Sequence, residues 1–125
     1  MRTAHATEHQ LQCAVVQWAS ITSKQAPELE LLMAIPNGGA RHITVARKLK
    51  AEGVRAGVPD LFLPVMRYGF GGLWIEMKSG TGRLTPEQKQ WIKRLRAQGY
   101  CAIVCNSFEL AVKTIQDYLG TAVSE

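Results

Sequence analysis

Three charged residues stand where strands would ordinarily be apolar. Asp60 follows Pro59 at the start of one apolar run, and Glu76 and Lys78 lie two residues apart at the end of the next. Successive side chains of a strand point to opposite faces, so Glu76 and Lys78 share one face with Trp74. The apolar residues that alternate with them face a core, and these are Leu73, Ile75 and Met77. A glycine-rich turn joins the two runs, so we expect antiparallel neighbours that bring Asp60 close to Glu76 and Lys78.

Two carboxylates and a lysine at one point are suited to hydrolysis of a phosphodiester bond. Converging carboxylates repel each other unless a cation neutralises them, and Mg²⁺ prefers one or two carboxylates with water and phosphate oxygens. A neighbouring lysine can position or deprotonate the attacking water and stabilise developing negative charge. The pattern therefore predicts that Asp60 and Glu76 bind Mg²⁺ or Mn²⁺, with Lys78 at the water. The alternative is that Glu76 and Lys78 form only a surface ion pair on an edge strand.

The rest of the sequence predicts helices and strands in the order α-β-α-β-β-α-β-α, a small mixed α/β sheet covered by helices. Thr85, Pro86 and Gln88 form the N-cap, first position and capping-box residue of the third helix. Residues 29–35 suit either a strand or a short helix. The expected helices are 7–23, 41–52, 86–98 and 108–119, and the expected strands are 29–35, 58–65, 73–79 and 100–106.

Length and composition indicate one domain over residues 1–125, with frayed ends at 1–6 and 120–125. Lys and Arg outnumber Asp and Glu by 15 to 10 and the sequence pI is about 9.4, which favours an anionic partner, nucleic acid first. No apolar run has the length of a membrane span, and no signal peptide begins the chain. Three cysteines, an odd number, suggest free thiols in a reducing compartment. We therefore expect a cytoplasmic protein.

A basic group lies directly ahead of Asp60, where the chain leads it to the candidate site. Such side chains would bind a DNA backbone with salt-dependent, largely sequence-independent affinity. The preceding glycine turn could present backbone N–H groups to a phosphate, or could be only a turn. It lacks the spacing and the lysine of a P-loop, so we expect no nucleotide cofactor. The predicted DNA-binding residues are Asn37, Gly38, Gly39, Arg41, Arg47, Lys48, Lys50 and Arg55.

Four segments resemble the VRR-NUC family (virus-type replication-repair nucleases) of the PD-(D/E)XK nuclease superfamily. They are IPNGGARHITVARKLKAEGVRAGVPD, GVPDLFLPV, GLWIEMKSGTGRLTPEQKQWI and LRAQGYCAIVCNS, and the resemblance extends over residues 8–119. It implies a restriction-endonuclease-like core. It further implies a metal held by Asp60, Glu76 and the backbone carbonyl of Met77, with Lys78 at the attacking water. An acidic residue on the first helix completes such sites, and here it would be Glu8.

The resemblance also implies a biological setting. The chain looks like the small stand-alone members found in phages and bacteria, rather than the modules fused to larger repair nucleases. Such members resemble homodimeric, Mg²⁺- or Mn²⁺-dependent endonucleases that use one or two ions per site. They act on branched DNA such as four-way (Holliday) junctions.

Several interpretations stay open at this level. Glu8 could ligate the metal directly or through water, or only complement the dipole of the first helix. Gln88 could point its amide at the active site or only close the capping box. The whole domain could bind DNA without cutting it.

The segment HATEH, residues 5–9, fits the H-x-x-E-H signature of a zinc peptidase. Under this hypothesis His5 and His9 would bind the same zinc ion, but the sequence downstream shows no clear candidate for a third ligand. His42 beside the glycine turn suits a surface or DNA contact better than a ligand.

Overall fold

The computed structural model describes residues 6–36 and 42–120, which build a four-stranded mixed sheet flanked by helices. The α/β class and the element order predicted from the sequence are confirmed. The elements are α1 (Glu8–Thr22), a short 3-10 helix (Pro27–Leu31), β1 (Met33–Ala34), α2 (Ile43–Ala51), β2 (Leu61–Leu63), β3 (Leu73–Met77), α3 (Pro86–Ala97), β4 (Cys101–Cys105) and α4 (Phe108–Leu119).

The strands lie in the order β1-β2-β3-β4. β2 is antiparallel to both β1 and β3, whereas β4 runs parallel to β3 after the crossover through α3. The β2–β3 register pairs Leu61 with Ile75 and Leu63 with Leu73. This register places the beginning of β2 beside the end of β3, as the candidate site requires.

The main core lies between one face of the sheet and helices α1 and α4. Alternation along β3 sends Leu73, Ile75 and Met77 into this core, where each is at most 1% exposed. α3 packs on the opposite face against β4, burying Ile92 and Leu95. Trp74 and Glu76 therefore belong to the α3 side of the sheet.

All four strands are shorter in the structure than the sequence indicated, and two of them differ by most of their length. The run 29–35 begins as the 3-10 helix and contributes only the two residues of β1, so the short-helix alternative accounts for most of it. The run 58–65 forms a ladder only over Leu61–Leu63. Pro59 and Pro64 flank this segment, and proline has no N–H to extend the ladder.

Helix boundaries follow the predicted caps closely. Thr7 and Thr85 each accept a backbone N–H and form a capping box with a glutamine three residues on. α2 begins at Ile43 because His42 is its N-cap, with Nδ1 accepting the N–H of Thr44 at 3.2 Å. α2 buries no side chain fully.

The predicted fraying at 1–6 and 120–125 falls almost wholly outside the described residues. Gly120 itself is described, and ends α4 in a left-handed conformation. Across 6–36 and 42–120, no helix is long and apolar enough to cross a membrane.

Candidate active site

The meeting of β2 and β3 brings Asp60, Glu76 and Lys78 together. The backbone N–H of Met77 donates to Oδ2 of Asp60 at 2.7 Å, which ties the residue ahead of β2 to the last residue of β3. Nζ of Lys78 lies 4.0 Å from Oε2 of Glu76. Glu76 is 1% and Lys78 7% exposed, so this is not a solvated surface ion pair.

The buried carboxylate of Glu76 is only partly satisfied. Oε2 accepts a hydrogen bond from Nε2 of Gln88 at 3.2 Å. Oε1 is buried and has no hydrogen-bond partner among the described residues. A buried polar atom left without a partner is costly, and in native proteins it calls for an explanation such as an ion.

The surroundings of Glu76 disfavour its charge in the absence of a cation. Burial, followed by the charge of Asp60 and a hydrogen bond that the two carboxyl groups can make when one is protonated, raises the pKa of Glu76 to about 8 from its ordinary 4.5. The Lys78 ammonium lowers the pKa of Glu76, and the Glu8 carboxylate raises it by a smaller amount. Two close carboxylates of which one resists ionisation form a site at which a cation would be strongly favoured.

The donor set fits a hard divalent cation that keeps some of its water. Asp60 and Glu76 supply two carboxylates, which is the number that Mg²⁺ commonly takes from a protein. Within the described ranges, no three His, Cys, Asp or Glu side chains gather closely enough to hold a metal by themselves. A cation here would therefore complete its shell with water, substrate oxygens or backbone carbonyls.

The carbonyl of Met77 is available in a way that the register explains. The antiparallel register pairs Leu61 with Ile75. Continued by two residues, it places Pro59 opposite Met77, where the next hydrogen-bonded pair of the ladder would stand. Proline has no N–H, so Pro59 cannot donate to the Met77 carbonyl as an ordinary residue would. Pro59 thus ends the ladder between β2 and β3, and Asp60 supplies a carboxylate at the point where the ladder ends.

Glu8 lies at the margin of this group. It is exposed in the first turn of α1 and lies near Gly82. If Gly82 carried a Cβ, that atom would lie 3.7 Å from Oε2 of Glu8. The same Cβ would lie 3.6 Å from Cδ of Lys78, so the Glu8 carboxylate is a neighbour of the Lys78 side chain. Glu8 is thus close to the site without joining Asp60 and Glu76 in a cluster of three carboxylates.

Gln88 makes both of the contacts between which the sequence could not decide. Its Oε1 accepts the N–H of Thr85 at 2.9 Å and closes the capping box, while its Nε2 donates to Glu76. The amide has one acceptor and one donor end, and the start of α3 lies close enough to β3 for each end to be used.

The predicted DNA-contacting residues are only partly described. Arg47, Lys48 and Lys50 are exposed on α2, and Arg55 is exposed on the loop that leads to Asp60. Asn37, Gly38, Gly39 and Arg41 lie outside the described residues. His42, expected at the surface, is exposed and caps α2.

The zinc motif gains no support from the described part of the chain. His5 lies outside the described residues, and Nε2 of His9 is 3.5 Å from Sγ of Cys13 on the next turn of α1. No described cluster of ligating side chains includes His9.

One residue that positions the site was missed by sequence reasoning. Gly57 has φ +89°, and a Cβ there would come within 2.8 Å of Glu87. The segment that leads to Asp60 therefore packs backbone to backbone against the first turn of α3. A glycine two residues before Pro59 was visible in the sequence, but its contact partner, thirty residues away, was not.

Comparison with known proteins identifies what the chain resembles. A family model described as the VRR-NUC domain matches residues 1–109. A solved structure described as a VRR-NUC domain protein shares 31% sequence identity with a TM-score of 0.78, covering 95% of this chain and 93% of that one. Among curated proteins, no significant match was found.

Proposed function

This chain belongs to the VRR-NUC domain family, a family of nuclease-type domains that act on DNA, and we propose that it is a metal-dependent DNA endonuclease. The observation that carries the proposal is the buried Glu76 carboxylate. One of its oxygens has no partner among the described residues, Lys78 Nζ lies 4.0 Å from the other, and the Asp60 charge acts on it. A surface ion pair would need none of this burial.

The residues have distinct roles in the proposed reaction. Asp60, Glu76 and the Met77 carbonyl would hold one or two divalent ions. When bound, Mg²⁺ or Mn²⁺ supplies positive charge for the scissile phosphate and lowers the pKa of the attacking water. Lys78 orients that water and stabilises the charge that develops on the phosphate. The water oxygen bonds to phosphorus as one phosphorus–oxygen ester bond breaks, leaving a phosphate monoester and a hydroxyl group.

Two further residues support these roles. Gln88 in the first turn of α3 donates to Oε2 of Glu76, which orients the carboxylate. Glu8 acts at the edge of the site, through water or through its neighbour Lys78 rather than as a third clustered ligand.

The DNA backbone would lie along the basic residues before Asp60. Arg47, Lys48, Lys50 and Arg55 are exposed and lie on the helix and loop that lead to the site. Asn37, Gly38, Gly39 and Arg41, which lie outside the described residues, stay predicted DNA contacts. Each phosphate contact would add to the salt dependence of binding.

We extend the proposal to branched DNA and to a homodimer in which residues 1–125 of each chain form one domain. One site in a protein of this size cuts one strand, and a two-fold pair could make two matched incisions at a four-way junction. Light scattering with and without DNA tests the dimer. A monomer under both conditions contradicts it.

The decisive experiment compares the protein with its Lys78→Ala variant on labelled linear duplex, flap and four-way junction DNA. Each substrate is incubated with Mg²⁺, Mn²⁺ or EDTA, and Lys113→Ala serves as a matched control because Lys113 is exposed on α4. We expect metal-dependent cleavage that Lys78→Ala loses and Lys113→Ala keeps. Binding without cleavage under every metal would instead identify a non-catalytic DNA-binding module.

A further inference from the structure

A groove around Trp91 has no part in the chemistry described so far. Trp91 lies on α3, half-buried, and its indole Nε1 donates to the carbonyl oxygen of Ala56 at 3.0 Å. Three surface cavities of about 330, 390 and 480 Å³ all have Trp91 in their walls. The first cavity shares Ala56 with the second and Arg55 with the third, so together they form one groove, the Trp91 groove.

We propose that the Trp91 groove binds an unpaired nucleotide of the substrate strand, so that the enzyme prefers DNA with a single-stranded gap or branch beside the cleaved bond. This inference rests on the proposed nuclease function and adds the feature of the substrate that is recognised. The base stacks on the indole of Trp91, and the flanking phosphates contact cations at the rim of the groove.

The chemistry of the groove matches a nucleotide in both its parts. The indole offers an aromatic face, and stacking between bases and aromatic side chains is the usual way to bind single strands without sequence preference. Lys50, Arg55 and Arg94 line the cavities beside it. Glu87 lines only the cavity on the Pro86 side, so the phosphates would run along the Lys50 and Arg94 sides.

The indole is already oriented for this contact. Its N–H is used by Ala56, which holds the ring against the loop between α2 and β2. A ring fixed before binding loses little conformational freedom when a base stacks on it.

The groove lies close enough to the candidate active site for both to act on one strand. Trp91 is three residues after Gln88 on α3, which is a rise of about 4.5 Å along the same side of the helix. Ala56 precedes Asp60 by four residues, so their separation is at most about 14 Å. Each nucleotide of a duplex strand advances about 3.4 Å along the helix axis, so the groove lies within about four nucleotides of the cleaved bond.

Paired DNA cannot use this groove, because its bases are stacked inside the duplex. A base reaches an aromatic side chain only where pairing is absent or has been broken, and breaking it costs a few kcal/mol. The groove would thus favour DNA that is already unpaired near the bond to be cut.

The test measures binding of a gapped duplex and of the same duplex sealed, by fluorescence anisotropy, in the Lys78→Ala background so that the DNA stays intact. We expect Trp91→Leu to weaken binding of the gapped DNA about 5- to 150-fold, the range for loss of one stacked base. Binding of the sealed duplex should change less than about twofold. Trp91→Phe keeps an aromatic face but not the N–H, and should retain most of the affinity.

A matched pair of lysine variants tests the phosphate contact. Lys50 lines the Trp91 groove, whereas Lys93 lines a cavity on the opposite side of α3. We expect Lys50→Ala to weaken binding of gapped DNA and to lower its salt dependence, and Lys93→Ala to change neither.

Three outcomes would overturn the inference: an equal loss on gapped and sealed DNA, no loss on either, or a Trp91→Phe variant as weak as Trp91→Leu. The last would mean that the hydrogen bond to Ala56 is what matters. Circular dichroism melts confirm that each variant is folded. Failure of the proposed nuclease function appears separately, as DNA left uncut by the protein that retains Lys78.

Discussion

The backbone N–H of Met77 donates a 2.7 Å hydrogen bond to Oδ2 of Asp60. In a regular ladder, the Met77 N–H would donate to a backbone carbonyl of the segment before β2. Here it donates to the Asp60 side chain instead, which holds that carboxylate against the strand that carries Glu76. A slip of the register by one residue would move Glu76 to the other face of the sheet and break this bond. Correct pairing of β2 with β3 and assembly of the site are therefore one event.

Asp60→Asn should abolish activity while leaving the fold intact. Asparagine keeps an oxygen that can accept the Met77 N–H, but it removes one of the two negative charges. We expect metal-dependent cleavage to fall at least about 100-fold, since even residues beyond the ligands cost 10- to 100-fold. Asp117→Asn, an exposed site on α4, is the matched control and should remain active. Full activity of Asp60→Asn would refute the assignment of Asp60.

Gln88→Glu separates the two roles of Gln88. Glutamate can still close the capping box with Thr85, but above its pKa it cannot donate to Glu76. We expect the melting temperature in Mg²⁺ to change little and cleavage to fall about 10- to 150-fold, the equivalent of one hydrogen bond to a charged group. Unchanged cleavage, or loss of activity only in step with unfolding, would show that Gln88 serves the helix alone.

The metal-free protein should lose stability as the pH rises. The pKa of Glu76 is raised to about 8 in the folded chain, whereas in the unfolded chain it has its ordinary value of 4.5. Between these values the unfolded chain releases a proton that the folded chain keeps, so the free energy of unfolding decreases with pH, by at most about 5 kcal/mol. The decrease is complete once the pH exceeds about 8.

Thermal melts in EDTA between pH 5 and pH 9 measure this dependence. Glu76→Gln carries no titrating group at this position, so its melting temperature should fall less steeply over the same range. Added Mg²⁺ should stabilise the natural protein most at high pH, because it binds the ionised carboxylates. Equal slopes for the natural protein and Glu76→Gln would contradict the prediction.

Gly57→Ala should destabilise the protein and lower cleavage. A Cβ at Gly57 would lie 2.8 Å from backbone and side-chain carbons of Glu87, at a φ of +89°. Gly53→Ala is the matched control, because Gly53 has φ +101° but no atom within 4 Å of its Cβ position. We expect both variants to lose about 1–2 kcal/mol through the left-handed backbone, and Gly57→Ala to lose more through the clash. Equal melting temperatures of the two variants would show that α3 moves aside for the added Cβ with no loss of stability.

The parts of the site that lie on regular strands could be predicted from the sequence. Alternation along β3 was enough to group Glu76 with Lys78, and the glycine turn was enough to bring Asp60 beside them. The capping box at Thr85 and Gln88 could also be predicted from the sequence, because each of its hydrogen bonds joins residues three positions apart. All of these relations follow from local geometry.

Other relations depend on distant packing and have no local signature. The amide of Gln88 reaches Glu76 only because α3 packs on the face of the sheet that carries Glu76, and the indole of Trp91 meets Ala56 across thirty-five residues. The run 29–35 was ambiguous for another reason, since a short apolar segment without alternation suits a buried strand or a helical turn equally well.

The carboxylates of Asp60 and Glu76 lie on or beside strands whose ladders differ in length. Glu76 lies in the five-residue ladder between β3 and β4, whereas Asp60 precedes a three-residue strand bounded by prolines. Asp60 itself stands outside the regular ladder, so its contact with Met77 should open more readily than the hydrogen bonds between β3 and β4. On warming, Asp60 would leave its partner before the rest of the chain melts. The heat tolerance of catalysis is then set by the segment at the start of β2 that carries Asp60 rather than by the core.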